Sequence, residues 1–224
     1  MKSKRRNVMN NLFNMDNGVF NFLGKMWDII FISIIWALLC IPIVTIGPAT
    51  TALYYAVVKV IRRERGYLLR EYFHSFKTNF FSGLILGIIL MAVYFILYID
   101  FNFAKTIENP NTKFVFLAIF TAFTFIILCG TVYVFPILSR FTMGKLQILK
   151  TSLLISVRHL PTTILMLVIV GLFAFVVWII PIFIFILSGT CILLCSLPLE
   201  KVLKKYIPKA EDGDETKVDA WYLE

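Results

Sequence analysis

The chain has 224 residues, of which 59% are hydrophobic and 16% are charged, and its formal net charge is +9. Soluble domains are about 45–50% apolar and about 25% charged, so this composition argues against a soluble globular protein and for an integral membrane protein. The basic residues flank apolar segments instead of forming one continuous basic face, which also argues against nucleic-acid binding.

The basic N-terminal segment, residues 1–26, begins MKSKRR and continues with residues too polar for the apolar core of a secretory signal. We therefore predict an uncleaved first span. Short loops and termini rich in lysine and arginine stay on the cytoplasmic side of a membrane. This tendency predicts a cytoplasmic N-terminus and places the basic segments 59–77 and 140–158 on the same side.

Four stretches without Asp, Glu, Lys or Arg follow, at residues 29–58, 78–99, 114–139 and 159–199. The middle two each suit one spanning helix of about 20 residues. The outer two are too long for one span, and their prolines (Pro42, Pro48 and Pro181) can each end one helix and begin the next. We therefore predict an all-α polytopic transmembrane helix bundle over residues 27–200. Its six spans are expected at residues 27–44, 48–61, 80–99, 114–136, 161–180 and 181–199.

A weak internal repeat keeps a five-span alternative open. The run 75–77 (SFK) precedes one span, and the run 156–158 (SVR), 81 residues later, precedes another. The segment after Pro136 is too basic to cross a membrane, so in a true repeat the segment after Pro48 would lie at the interface instead. That arrangement puts the basic N-terminus outside, against the positive-inside tendency, and we therefore favour six spans.

Residues 201–224 end in a polar, acidic sequence, PKAEDGDETKVDAWYLE. Such a sequence cannot bury enough apolar area to order itself, so we predict a cytoplasmic and partly disordered tail.

No motif for catalysis stands out in this sequence. The two histidines, His74 and His159, lie at span entrances without clustered Asp, Glu or Cys partners. Cys191 and Cys195 would share one helix face, but they lack a recognisable metal or disulfide spacing. We therefore predict no catalytic, cofactor-binding or metal-binding residue and do not expect an enzyme.

The segment 47–80 carries more sequence detail than membrane insertion requires. It combines a Gly-Pro turn, several hydroxyl side chains, a basic turn and an amphipathic aromatic helix. Attraction to anionic lipid head groups, about 1 kcal/mol per basic side chain near the surface, accounts for its charges alone. The remaining detail indicates a candidate partner-contact or functional motif, which comprises Gly47, Pro48, Thr50, Thr51, Tyr54, Tyr55, Arg62, Glu64, Phe76, Lys77 and Asn79.

Residues 39–55, LCIPIVTIGPATTALYY, resemble the signature of the YesL family of bacterial membrane proteins, a domain-of-unknown-function family. The runs NLFN at 11–14 and SFKTNF at 75–80 are also similar to that family. The resemblance implies a small multi-pass plasma-membrane protein of a Gram-positive bacterium. It further implies genes that lie beside carbohydrate uptake systems of the ATP-binding-cassette (ABC) type, and it supplies no established activity.

Two functions follow from this combination as expectations. The first is a non-enzymatic accessory or assembly factor that contacts the permease or ATPase subunits of a carbohydrate ABC-type uptake system. The alternative is a small transporter or channel for a neutral solute, with threonine and tyrosine hydroxyls along its path. A membrane enzyme is the weakest reading, because no paired acid, base or nucleophile is present.

Overall fold

The computed structural model describes residues 18–206, with side chains from Leu23 onward. This part of the chain is all-helical and contains eight α-helices. Their bounds are α1 Gly18–Leu39, α2 Ile46–Ala56, α3 Leu68–Thr78, α4 Phe80–Thr106, α5 Pro110–Arg140, α6 Lys145–Arg158, α7 Leu160–Ile179 and α8 Ile184–Leu203. A π-helical segment, Val57–Arg62, continues α2, and short 3-10 turns lie at Ile43–Thr45, Pro181–Phe183 and Lys204–Tyr206. The basic segment 1–17 and the acidic tail after Tyr206 lie outside the described residues.

Five helical segments between residues 18 and 206 are long and apolar enough to cross a membrane. They are Ile43–Arg62, Phe80–Thr106, Pro110–Arg140, Leu160–Ile179 and Pro181–Tyr206. The prediction of an all-α transmembrane bundle is therefore confirmed. The helical conformation is interrupted after α1 and again before Pro181, as predicted from the prolines. Helix α1 is not among these five, although its 22 residues extend about 33 Å at 1.5 Å per residue. Six crossings, with α1 as the additional span, therefore remain a prediction.

Two helices continue past an internal proline, and α5 thereby runs beyond its predicted end at residue 136. Helix α5 continues through Pro136 to Arg140, and α8 continues through Pro198 to Leu203. Proline removes one backbone hydrogen bond, but the turns that follow are held by burial of Ile137 and Leu199, both with no exposed surface. Tertiary packing therefore keeps both helices intact beyond the proline.

Helix α2 lies at the centre of the bundle, in contact with α1, α3, α4, α5 and α8. Its small residues Ala49, Ala52 and Ala56 are fully buried, which lets neighbouring helices approach its backbone closely. One apolar cluster joins α2 to α1 through Leu53 and Ile32, and a second joins it to α4, α5 and α8. The segment that the prolines isolated is thus the core element of the fold.

The predicted Gly-Pro turn has a packing reason as well as a conformational one. A Cβ atom on Gly47 would lie 2.2 Å from the carbonyl oxygen of Gly83 on α4. A Cβ on Gly83 would in turn lie 2.8 Å from the Cα of Pro48. Only glycine at both positions allows the two backbones to come this close, so α2 and α4 are joined by a glycine contact.

The internal repeat is visible in the arrangement of the helices. Helix α3 ends at Thr78, and one residue, Asn79, separates it from α4. Helix α6 ends at Arg158, and one residue, His159, separates it from α7. Ser75 and Ser156, the residues that suggested the repeat, are both buried on the inner faces of these short helices. The two halves therefore share a unit that consists of a short helix, a one-residue break and a long apolar helix.

Candidate functional site: a buried charge cluster

A buried ion pair joins the ends of two long helices. Arg140, the last residue of α5, donates from Nη1 to Oε2 of Glu200 on α8 at 2.9 Å. The two side chains are 1% and 2% exposed. Burying such charges is unfavourable unless they are paired and hydrogen-bonded, so the pair fixes the position of α8 against α5.

Tyr54 on the central helix completes this cluster. Its hydroxyl donates to the other oxygen of the same carboxylate, Oε1 of Glu200, at 2.7 Å. The Tyr54 ring is itself buried. A hydrogen bond to a charged acceptor is roughly twice as strong as a neutral one. Helices α2, α5 and α8 therefore meet at a single carboxylate.

A second charged cluster is formed by Lys59, in the π-helical extension of α2, and it orients α3. Lys59 bonds Oε2 of Glu71 at 2.8 Å and donates to the hydroxyl of Tyr55 at 3.0 Å. The side chains of Lys59 and Glu71 are 5% and 13% exposed. Because Glu71 lies in the first turn of α3, this pair ties the amphipathic helix to the core.

Two further contacts surround these clusters. Arg62 donates from Nη1 to the backbone carbonyl of Ser196 on α8 at 2.8 Å. In the turn that follows the π-helical segment, Lys25 pairs with Glu64, whose φ of 56° lies in the left-handed region. The hydrogen bond from Lys25, together with its positive charge, lowers the pKa of the Glu64 carboxyl below its usual value.

The structure divides the predicted motif between the interior and the periphery. Gly47, Pro48, Thr51, Tyr54 and Tyr55 are buried, and Thr50 is half-buried with its hydroxyl accepting from Trp36 Nε1 at 3.2 Å. These six residues hold α2 in the bundle and do not form an open contact surface. Arg62, Phe76 and Asn79 are partly exposed, whereas Glu64 and Lys77 are exposed. The functional role of the motif as a whole stays a prediction.

Four residues of these clusters were not predicted from the sequence: Arg140, Glu200, Lys59 and Glu71. Arg140 and Glu200 each follow directly on an apolar stretch, where a charge is easily read as interfacial. The sequence did contain a signal, because Glu200 is the sole acid near the end of an otherwise apolar helix and is followed by the basic residue Lys201. A lone acid in such a place is a candidate partner for a buried arginine.

An apolar cavity of about 260 Å³ lies beside the cluster, between α1, α2, α5, α7 and α8. Tyr54, Thr50, Thr131 and Cys195 are among its lining residues. Ser188 also lines it, and its buried hydroxyl has no hydrogen-bond partner within residues 18–206. No group of three or more His, Cys, Asp or Glu side chains that could hold a metal ion occurs in the same range.

This architecture, in which long apolar helices pack around paired charges near the ends of α2, α5 and α8, defines a multi-pass helical membrane protein. Residues 29–101 match the family described as "Protein of unknown function, DUF624". The uncharacterized protein YesL of Bacillus subtilis (strain 168) is 25% identical over 159 residues, which cover 69% of this chain and 74% of YesL.

The uncharacterized protein YteU of the same organism is 30% identical over 151 residues, which cover 66% of this chain and 64% of YteU. No solved structure matches the chain. These matches support a YesL-like DUF624 family, and the resemblance stated from the sequence is confirmed. The family model spans Gly47, Tyr54, Lys59 and Glu71, but ends before Arg140.

Proposed function

We propose that this protein is a non-enzymatic accessory or assembly factor for a carbohydrate ABC-type uptake system. The observation that supports this proposal is the outward face of α3, which comprises Arg70, Phe73, His74 and Lys77, all exposed. We call these four residues the α3 face. A cationic face with an exposed aromatic ring suits a membrane-associated protein partner with an acidic surface.

The α3 face is held in a fixed orientation. The Lys59–Glu71 pair anchors the first turn of α3, and the buried Tyr72 lies with its hydroxyl 3.4 Å from the Ala49 carbonyl oxygen. A rigid surface loses less conformational entropy on binding than a mobile one. Permease or ATPase subunits are the partner class that the family resemblance suggests, and the α3 face is where we propose that they bind.

Affinity purification from native membranes tests this proposal. The wild-type chain should recover a permease or ATPase subunit, and the variant Arg70→Gln/Lys77→Gln should lose most of it. The matched control is Lys105→Gln/Lys113→Gln, which removes two charges near the α4–α5 connection. Failure of the wild-type chain to recover either subunit would sink the proposal, and equal losses in both double variants would exclude the α3 face.

We further propose that the protein lies in the plasma membrane with the basic ends of its helices and both termini in the cytoplasm. The last turns of the α2 π-helical extension, α5 and α8 all carry basic residues: Lys59, Arg62, Arg140 and Lys201. This agrees with the positive-inside tendency. A Ser3→Cys variant should resist a membrane-impermeant thiol reagent in intact cells, and external labelling would favour the five-span alternative.

A small transporter or channel for a neutral solute remains the second candidate. The cavity beside Tyr54 favours it, because Ser188 offers a buried hydroxyl with no partner in the described chain. Solute flux into liposomes that hold the purified protein, lost in Ser188→Ala or Tyr54→Phe, would select this function over the first. Without such flux, the cavity is only a packing defect.

A further inference from the structure

A groove runs along the seam between α7 and α8. At the start of α7 it widens into a cavity of about 420 Å³, lined by His159 and Thr162 on one side and by Lys201 and Lys205 on the other. No aspartate or glutamate lines this cavity. Neither lysine forms an ion pair with another residue in the described part of the chain. This end of the groove is therefore cationic.

The rest of the groove is apolar. Leu165, Ile169 and Leu194 continue it away from the charged end. A second cavity of about 220 Å³ along the same seam shares Ile169 and Leu194 and extends to Val176. From Thr162 to Val176 the groove follows 14 residues of helix, which is about 21 Å at 1.5 Å per residue. One leaflet of a bilayer has about 15 Å of hydrocarbon, so the groove is long enough for one acyl chain.

The helix start adds to the positive potential at the charged end. Helix α7 begins at Leu160, and the side chain of its N-cap residue, His159, makes no capping hydrogen bond. Instead, His159 Nε2 lies 3.1 Å from the hydroxyl of Tyr206, over whose ring the Arg158 guanidinium lies at 5.9 Å. Backbone N–H groups at a helix N-terminus favour phosphate, and here two lysines face the same space.

We propose that this groove binds one anionic glycerophospholipid, with its phosphate at Lys201 and Lys205 and one acyl chain along Leu165, Ile169 and Leu194. The arrangement of the groove identifies the ligand, because a cationic end followed by an apolar groove as long as an acyl chain matches an anionic lipid. A neutral lipid would leave the two lysines without a counter-charge. The proposal is independent of partner binding at the α3 face, since none of the groove residues belongs to α3.

Native mass spectrometry of the full chain in nonionic detergent tests the charged end. Phosphatidylglycerol should remain bound, and phosphatidylcholine with the same acyl chains should not. The variant Lys201→Gln/Lys205→Gln should bind phosphatidylglycerol roughly 30-fold more weakly, since each basic side chain near a membrane surface contributes a factor of about 5. The matched control Lys145→Gln/Lys150→Gln, which removes two charges from α6, should leave binding unchanged.

A second pair of variants tests the apolar part. Leu165→Trp should fill the groove and displace the acyl chain, whereas Ile164→Trp changes the adjacent residue, which is exposed but does not line the groove. Equal binding of the two lipids, or equal losses in both lysine double variants, would mean only general lipid attraction and would overturn the proposal. The proposal would also be overturned if the wild type bound neither lipid. If neutralising the acidic residues 211–215 then created binding, the tail would be the occupant of the groove.

Discussion

Replacing Arg140 by methionine tests whether the buried charge cluster holds the bundle together. Methionine keeps much of the volume and apolar length of the arginine stem but removes the guanidinium that bonds Glu200 at 2.9 Å. Glu200, whose side chain is 2% exposed, would then retain only the hydroxyl of Tyr54 among its present side-chain partners. A buried carboxylate that has lost its cation strongly disfavours the folded state.

The size of the effect follows from the burial and the distance. Two unit charges about 4 Å apart interact by about 4 kcal/mol at the effective dielectric constant of about 20 that suits proteins. Breaking a buried pair by removing one partner typically destabilises the fold by about 3–5 kcal/mol, which agrees with that value. For a chain of this length each 1 kcal/mol lowers the melting temperature by about 2–4 °C, so we expect a decrease of about 6–20 °C.

Thermal unfolding followed by circular dichroism in one fixed detergent measures this decrease. The control is Lys25→Met, which breaks an ion pair whose side chains are 42% and 69% exposed and should leave the melting temperature unchanged. The triple variant Tyr54→Phe/Arg140→Met/Glu200→Leu removes all polar members of the cluster together. It should recover most of the wild-type melting temperature, because a well-packed apolar replacement leaves no charge or hydroxyl without a partner.

A stabilising role of the cluster charges is refuted if Arg140→Met melts within about 2 °C of the wild type, since that corresponds to less than about 1 kcal/mol. It is also refuted if the triple variant is no more stable than the single one. That second result would mean that the position is sensitive to shape and not to charge.

Two further predictions concern other parts of the fold. Gly47→Ala should destabilise the protein by about 1–3 kcal/mol through overpacking, because its Cβ would lie 2.2 Å from the Gly83 carbonyl oxygen, whereas Gly171→Ala, with no atom within 4 Å, should be tolerated in the same thermal assay. Partial burial, together with the charges of Lys205 and Arg158, lowers the pKa of His159 below its usual value of 6.5. The imidazole therefore gains its charge at a lower pH than an ordinary histidine, so phosphatidylglycerol binding should strengthen as the pH falls, and a His159→Gln variant should lose this dependence.

Most helices could be predicted from the sequence because their determinants are local. Apolar runs of spanning length and the prolines at 42 and 181 identified the long helices, although α1 begins at Gly18 instead of residue 27 and α4 ends at Thr106 instead of residue 99. The break at Asn79 and its counterpart at His159 were also signalled by the repeated serine and basic residues before them. Helix ends were less accurate, since burial carries α5 past Pro136.

The charge cluster could not be predicted because its determinants are non-local. Arg140 and Glu200 lie 60 residues apart, and Tyr54 lies 146 residues from Glu200. The crossing of α2, α5 and α8 determines which interfacial charged side chain points into the bundle. The periodicity of a single helix does not contain that information. Gly47 shows the same limit, because its partner Gly83 is identified only by helix packing, although the turn itself was visible in the sequence.

The pairing of Arg140 with Glu200 also constrains the order in which the protein is made. Arg140 leaves the ribosome 60 residues before its partner carboxylate. At about 5–20 residues per second, the arginine waits about 3–12 s before Glu200 is synthesised. During that interval α5 and α7 can insert, but the carboxylate at which α2, α5 and α8 meet does not yet exist. The last helix therefore completes the assembly of the first ones, and a chain that stops short of Glu200 cannot finish folding.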